Sequence, residues 1–240
     1  MNIKKIFINS ENIILEKKSG QWLQFLTEND FDFQTIQQIN MSDESPVIMD
    51  KSGNKFSIDF VNDKVNYTKK KSSIKTELIS KALGGGKFGL NILDLSAGLG
   101  IDAVFLAQLG YSVIALERNP LIYLALNEAL QQKPELNLSF IFSDALTYLK
   151  SQSINTDVIY FDPMFPEKAK SALPRQEMVF FRSLVGHDAD AAEVLDFALK
   201  IKSVKRVVVK RPIKAPALMR PMSSIEGKLI RFDLYRGVRI

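Results

Sequence analysis

The sequence predicts an α/β fold, a doubly wound, Rossmann-like sheet preceded by a small β-rich N-terminal region. Three observations carry this. After residue 90, short apolar runs alternate with helical stretches, the order that builds parallel strands joined by crossover helices. The first of these strands, "LNILDLS", runs into the turn Gly98-x-Gly100-x-x-Ala103 and then a helix, the context of a nucleotide-binding sheet. Before residue 70, short strands are separated only by turn residues.

In the N-terminal region, "KIFIN" and "NIILEKK" read as strands on either side of Ser10–Glu11. "SPVIMDKSGNKFSIDFVNDKVNYT" reads as three strands with turns at Ser52-Gly53-Asn54 and Asn62-Asp63. Trp22 and the neighbouring aromatics are expected in the core. The polar, basic connector "KKKSS" (69–73) divides a region over 1–70 from a domain over 71–240. Ile74, Leu78, Ile79 and Ala82 share one face of a helix over 74–83, which Gly84, Gly85 and Gly86 end. Lys87 follows those glycines without the spacing of a P-loop.

The second half then reads in order. "GIDAVFLAQLG" is a helix, "YSVIALE" a strand, and "NPLIYLALNEALQQK" a helix with Asn119 as N-cap and Pro120 at its first position. "LSFIFSD" is a strand and "ALTYLKS" a short helix; "TDVIYFD" is a strand, followed by a long loop and the helix "DADAAEVLDFALKIK". "KRVVVKR" is a strand. "LIRFDLYRGVRI" is a last one, expected to pair antiparallel at the sheet edge because the preceding Pro/Met-rich connection is too short for a crossover helix.

Composition excludes several chemistries. The 240 residues contain no cysteine, hence no disulfide, thiolate metal site or cysteine nucleophile. His187 is the single histidine, which argues against a histidine metal centre and against Ser-His-Asp catalysis; beside Asp188 it reads as a turn residue. No metal is expected. Lys+Arg 32 against Asp+Glu 27 leaves a net +5, compatible with a nucleic-acid partner without requiring one. The first residues lack the apolar core of a signal peptide, and no stretch approaches the roughly 18 apolar residues of a membrane span. The expected location is the cytoplasm.

In a sheet of this kind, ligands sit beyond the carboxyl ends of the strands. Gly98 and Gly100 let backbone approach a ligand there, and Glu117 ends the next strand 19 residues after Gly98, placed to accept bonds from ribose hydroxyls. These features fit a nucleoside cofactor, either a nicotinamide dinucleotide or S-adenosylmethionine. Asp94 and Asp102 around the glycine turn favour the latter, since carboxylates suit a sulfonium and an amino group better than a pyrophosphate. Ser143-Asp144, ending the third strand, is placed to meet an adenine.

The fourth strand delivers "DPMFP". An exocyclic amine of a nucleobase is a poor nucleophile because its lone pair is delocalised into the ring. The Asp162 carboxylate and the Pro163 carbonyl can accept its two N–H bonds, and the ring of Phe165 can stack on a base taken out of its helix. Pro163 and Pro166 stiffen the corner, which suits catalysis by positioning.

"DPMF" is similar to the Asn/Asp-Pro-Pro-Tyr/Phe motif of amino-group methyltransferases, with Met164 in place of the second proline. "DPMFPEKAKSALPRQEMVFFRSLVG", with "LDLSAGLGIDA", "LERNP" and "KRVVVKRP", resembles the ribosomal RNA small subunit methyltransferase J family over roughly residues 75–237. That resemblance implies a class I methyltransferase sheet and S-adenosylmethionine-dependent methylation of the 2-amino group of one guanine in 16S rRNA. It also implies cofactor contacts at Ile101, Asp102, Glu117, Arg118, Ser143, Asp144 and Asp162. Two positions depart from the family, which often has a basic residue at 101 and a small hydroxyl residue at 144.

Lys168, Lys170 and Arg175 in the loop after Phe165, and Lys210 and Arg211 at the end of the fifth strand, are expected on the same rim as Asp162. There they could hold RNA phosphates. The acid–carbonyl clamp alone leaves adenine N6 or a glutamine amide open as acceptor. An inactive RNA-binding assembly factor on the same fold is a further alternative.

Overall fold

The computed structural model describes residues 7–8, 13–42, 45–61, 74–84, 89–151, 153–164, 181, 184–185 and 188–237. Its main sheet contains β5 (Asn91–Asp94), β6 (Ser112–Glu117), β7 (Leu138–Phe142), β8 (Val158–Phe161), β9 (Arg206–Pro212), β10 (Ser223–Glu226) and β11 (Ile230–Arg236). Their spatial order is β10-β11-β9-β8-β5-β6-β7. From β9 across to β7 every pairing is parallel. The chain builds β5, β6 and β7 towards one edge, then crosses to β8 and β9 on the other side of β5. The order reverses between β5 and β8, the place where such sheets open a crevice.

Crossover helices cover both faces: α3 (Ile101–Gln108), α4 (Pro120–Gln131), α5 (Ala145–Ser151) and α6 (Ala191–Leu199), with α2 (Ile74–Leu83) ahead of β5. Val158, Ile159, Tyr160 and Phe161 of β8 are all buried, as the central strand of a two-faced sheet requires. Asn119 caps α4, its Oδ1 accepting from the amides of Leu121 and Ile122, with Pro120 next in line.

The C-terminal strand pairs antiparallel with β9, as expected, but it does not take the edge. The edge belongs to β10, paired antiparallel with β11. Its four residues, Ser-Ser-Ile-Glu, are too short and polar to show strand alternation.

The N-terminal region forms a second sheet of β1 (Phe7–Ile8), β2 (Ile36–Asn40), β3 (Val47–Asp50) and β4 (Lys55–Phe56), in that order. Gly53, at φ +81°, makes the expected turn between β3 and β4. The stretch read as the strand "NIILEKK" is instead the start of a 16-residue helix, α1 (Ile13–Glu28). Beyond its apolar start the segment is rich in Leu, Glu, Lys and Gln, which favour helix, and Trp22 and Leu26 are buried four residues apart on one face. Phe25 of α1 lies 5.6 Å from the ring of Tyr123 and 5.2 Å from that of Phe142. The N-terminal residues Trp22, Leu26, Ile39 and Phe60 belong to the same buried cluster as Ala103, Leu126 and Phe140 of the main sheet's layers. The strand expected over 64–68 and the turn at 62–63 lie outside the described residues.

Candidate active site

The ends of β5, β6, β7 and β8 converge on one cleft of about 310 Å³, lined by Asp102, Glu117, Asp144 and Asp162 among others. The turn leaving β5 is built on two glycines with positive φ, Gly98 at +55° and Gly100 at +73°. A Cβ on Gly100 would lie 2.7 Å from Leu126 and 2.8 Å from Phe60, so the turn is pressed onto both the helix layer and the N-terminal region. Gly98 sits higher, against the ring of Phe181.

Each carboxylate is held by a specific set of donors. Asp94 is 1% exposed; its Oδ1 accepts from the Ser96 amide at 2.9 Å and the Ser96 hydroxyl at 3.2 Å. Its Oδ2 is buried with no hydrogen-bond partner among the described residues. Burial pushes its pKa up from 3.8 to about 7, and the nearby charges of Asp102 and Asp162 add to the rise, while the Ser96 bonds oppose it. Glu117 is buried too, and burial raises its pKa from 4.5 to about 7 against the pull of two backbone donors. Those donors are the Asn119 amide at 2.7 Å and the Gly98 amide at 3.0 Å. The acid ending β6 thus grips the turn leaving β5.

Ser96 links the first and fourth strand ends as well, its hydroxyl accepting from the Asp162 amide at 2.7 Å. Asp102 accepts from the Tyr160 hydroxyl at 2.8 Å and from Lys210 Nζ at 2.5 Å, and the same Nζ reaches Asp162 at 2.6 Å. Burial works against the charge on Lys210, but Asp162 and Asp102 outweigh it and raise its pKa.

Gly98, Ile101, Asp102, Glu117, Arg118, Ser143, Asp144 and Asp162 all line this one cleft, while Asp94 does not reach its surface and is buried at the end of β5; Pro163 is buried as well. Gly100 lies beneath them as the first residue before α3. Asp144 also caps α5, accepting from the Thr147 amide at 3.1 Å. Arg118 donates to the Val185 carbonyl at 2.8 Å and pairs with Asp188 at 2.8 Å. Phe165, Lys168, Lys170, Arg175 and His187 lie outside the described residues.

The two basic residues ending β9 are not on an open rim. Lys210 turns into the cleft between two carboxylates, because β9 lies next to β8 and its end faces Asp162. Arg211 is 3% exposed and donates to the Pro216 carbonyl, holding the turn after β9. Both side chains are engaged by groups of the protein itself. Sequence reasoning missed Ser96, Tyr160 and Asp188. Ser96 and Tyr160 sit within strand-end motifs and had a readable signal, polar groups one or two residues from a candidate acid; Asp188 is brought in only by the fold.

Among the described residues, no group of three or more His, Cys, Asp or Glu could hold a metal ion, and no helix is long and apolar enough to cross a membrane.

A family described as "Putative SAM-dependent methyltransferase" matches residues 16–237. A ribosomal RNA small subunit methyltransferase J from Bdellovibrio bacteriovorus is 48% identical over 198 residues, covering 80% of this chain and 78% of that protein. Proteins of the same name from Pseudoalteromonas translucida and Hahella chejuensis are 42% and 40% identical, covering 75% and 74% of this chain and 75% and 71% of theirs. In overall fold, a SAM-dependent methyltransferase from Neisseria gonorrhoeae superposes with a TM-score of 0.69 at 23% identity, covering 96% of this chain and 94% of that one.

The donor set fits S-adenosylmethionine. The cleft is acidic at Asp102 and Asp162, and at the end of β5 the Asp94 Oδ2 is buried with no hydrogen-bond partner among the described residues, a charge distribution that suits a cationic group. The turn beside it lacks side chains at Gly98 and Gly100, and a further carboxylate ends β6. The mainly parallel sheet, the acid-lined cleft at its switch point and the matches to both families agree: this chain belongs to the ribosomal RNA small subunit methyltransferase J family of S-adenosylmethionine-dependent methyltransferases.

Proposed function

We propose that the protein methylates the exocyclic 2-amino group of one guanine in 16S rRNA. The observation that carries this reading is the arrival of Asp162, at the end of β8, in the same cleft as the glycine turn, Asp102 and Glu117. The acceptor class follows from the relatives, which are named for the small ribosomal subunit RNA.

S-adenosylmethionine supplies an electrophilic methyl group. Asp102 and the backbone of Gly98 and Ile101 would hold its amino-acid end within the cleft, with Asp94 and Gly100 supporting that end from behind. Glu117 would take the ribose hydroxyls; its two oxygens each accept one backbone amide and each keep a second lone pair. Ser143 and Asp144 would meet the adenine, with Arg118 beside them.

On the acceptor side, Asp162 and the Pro163 carbonyl accept the two N–H bonds of the amine. This turns its lone pair towards the cleft and leaves the Asp162 carboxylate as the nearest base for the departing proton. Phe165 stacks on the extruded base. Lys168, Lys170 and Arg175 contact RNA phosphates. Residues 1–70 act as an N-terminal region bracing the glycine turn through Phe60, and 71–240 as the methyltransferase domain. A ribosomal acceptor implies a cytoplasmic enzyme.

The test is transfer of a tritiated methyl group to 30S subunits and to naked 16S rRNA, with the labelled nucleotide identified by mass spectrometry. Label on a guanine as N2-methylguanine is expected. Label on adenine or on protein glutamine would reassign the acceptor, and tight RNA binding without transfer would mark an inactive assembly factor.

A further inference from the structure

The placement of Lys210 has a consequence that its position in the sequence does not announce. Its ammonium lies 2.5 Å from Asp102 and 2.6 Å from Asp162, and its side chain is only 18% exposed. Asp102 belongs to the first turn of α3, on the side of the glycine turn; Asp162 belongs to the corner after β8. One cation therefore joins the two acids that face each other across the donor and acceptor halves of the cleft. The Tyr160 hydroxyl completes the far side of Asp102 at 2.8 Å.

We propose that Lys210 is a positioning residue for methyl transfer, holding Asp162 ionised and aimed by bridging it to Asp102. This rests on the reading of Asp162 as the amine-orienting acid given above. The need for such a cation is evident from the charges that face it. Asp102 from α3 and Asp162 after β8 line one end of the cleft, Asp94 from β5 is buried within electrostatic range of both, and the like charges of Asp102 and Asp162 favour protonation of Asp94. Tyr160 contributes a neutral hydroxyl, and Arg211, the next residue on β9, lies within electrostatic range of Asp162 from a buried position. Among the described residues, Lys210 contacts both acids directly. A protonated Asp162 would offer a hydrogen where the amine needs an acceptor, so losing the bridge costs orientation as well as charge.

Lys210 does not act as a phosphate contact in this arrangement. A lysine bound to two carboxylates in a cleft contributes little to a salt-dependent RNA interaction, whereas a surface lysine lowers the salt slope by about one when removed.

The test compares wild type with Lys210→Met, Lys210→Gln and Lys210→Arg in two measurements. The first needs no activity: thermal unfolding of the cofactor-free protein from pH 5 to pH 8. Without the bridging cation, Asp102 and Asp162 repel each other and Asp94 when ionised. Lys210→Met and Lys210→Gln are therefore expected to fall furthest below wild type at pH 8 and to recover towards it at pH 5. The second is the pH dependence of kcat at saturating RNA, expected to fall on the order of 10²-fold at neutral pH, with its acidic limb moved to higher pH. Lys210→Arg, which keeps a charge able to bridge two carboxylates, should regain part of both. RNA affinity and its salt slope should stay at the wild-type value.

The proposal is overturned if the stability curves of Lys210→Met and Lys210→Gln run parallel to wild type. It is equally overturned if kcat and its acidic limb are unchanged while RNA affinity and the salt slope fall, which would make Lys210 a phosphate contact. If the wild-type enzyme modifies neither 30S subunits nor 16S rRNA, the acceptor assignment fails, and the unfolding curves still decide whether the bridge exists.

Discussion

Met164 and Asp188 are joined twice: the Met164 amide donates to Asp188 Oδ2 at 2.6 Å, and the Asp188 amide donates to the Met164 carbonyl at 3.3 Å. Met164 and Asp188 are thereby tied together beside the cleft. Residues just after β6 fasten the same place. Arg118 pairs with Asp188 and donates to the Val185 carbonyl, and Asn119 Nδ2 donates to the Leu184 carbonyl at 2.9 Å. These bonds hold Met164 at the cleft.

Asp188→Ala should therefore impair catalysis more than cofactor binding. A charged hydrogen bond of this kind contributes about 1.5–3 kcal/mol, so turnover is expected to drop roughly 10- to 100-fold. Steady-state methyl transfer alongside calorimetry with S-adenosylmethionine checks this. A loss of affinity as large as the loss of turnover would show that these bonds serve the cofactor side instead.

Gly100 tests the union of the N-terminal region with the glycine turn. An added Cβ meets Leu126 and Phe60 at under 3 Å, at a residue whose φ of +73° already disfavours any side chain. Gly100→Ala is expected to destabilise the protein by about 2–4 kcal/mol, from overpacking and backbone strain together. Urea unfolding measures it. At Gly98 the nearest atom to a new Cβ is Phe181 at 3.5 Å, so Gly98→Ala should cost less stability, chiefly through its φ of +55°.

The buried acids make stability depend on pH. Asp94 and Glu117 have native pKa values near 7, raised from 3.8 and 4.5, so the folded state binds protons more tightly than the unfolded chain. The stability from that proton binding is complete below the unfolded values and is lost as pH rises through about 7. The cofactor-free protein should melt at progressively lower temperature between pH 5 and pH 8. Asp94→Asn keeps an oxygen for the Ser96 donors and removes the buried charge, so it should flatten the curve and raise Tm at pH 8. The scale is about 2–4 °C per kcal/mol for a chain of this length. Scanning calorimetry across that range is the check.

Most of the sheet was readable because its strands are buried on both faces and appear as uninterrupted apolar runs, "VIYF" being the clearest. The cleft's acids Glu117, Asp144 and Asp162 were readable because they end or closely follow those runs. β10 was not, since four polar-edged residues carry no alternation, and neither was α1, whose opening "IIL" imitates a strand before the helix formers begin. At the site, sequence spacing could say that Lys210 ends a strand next to Asp162 but not that its side chain turns inward. That depends on the carboxylate of Asp102, 108 residues away, arriving opposite it. The burial of Arg211 was equally hidden in the sequence, since its guanidinium donates to the Pro216 carbonyl in the turn that follows β9.

Methyl transfer by Asp162→Ala, measured beside calorimetric titration with S-adenosylmethionine, tests the amine-orienting corner most directly. The expected result is a folded protein that binds the cofactor within a few-fold of wild type and transfers at least roughly 10²-fold more slowly. Wild-type turnover from Asp162→Ala would contradict it.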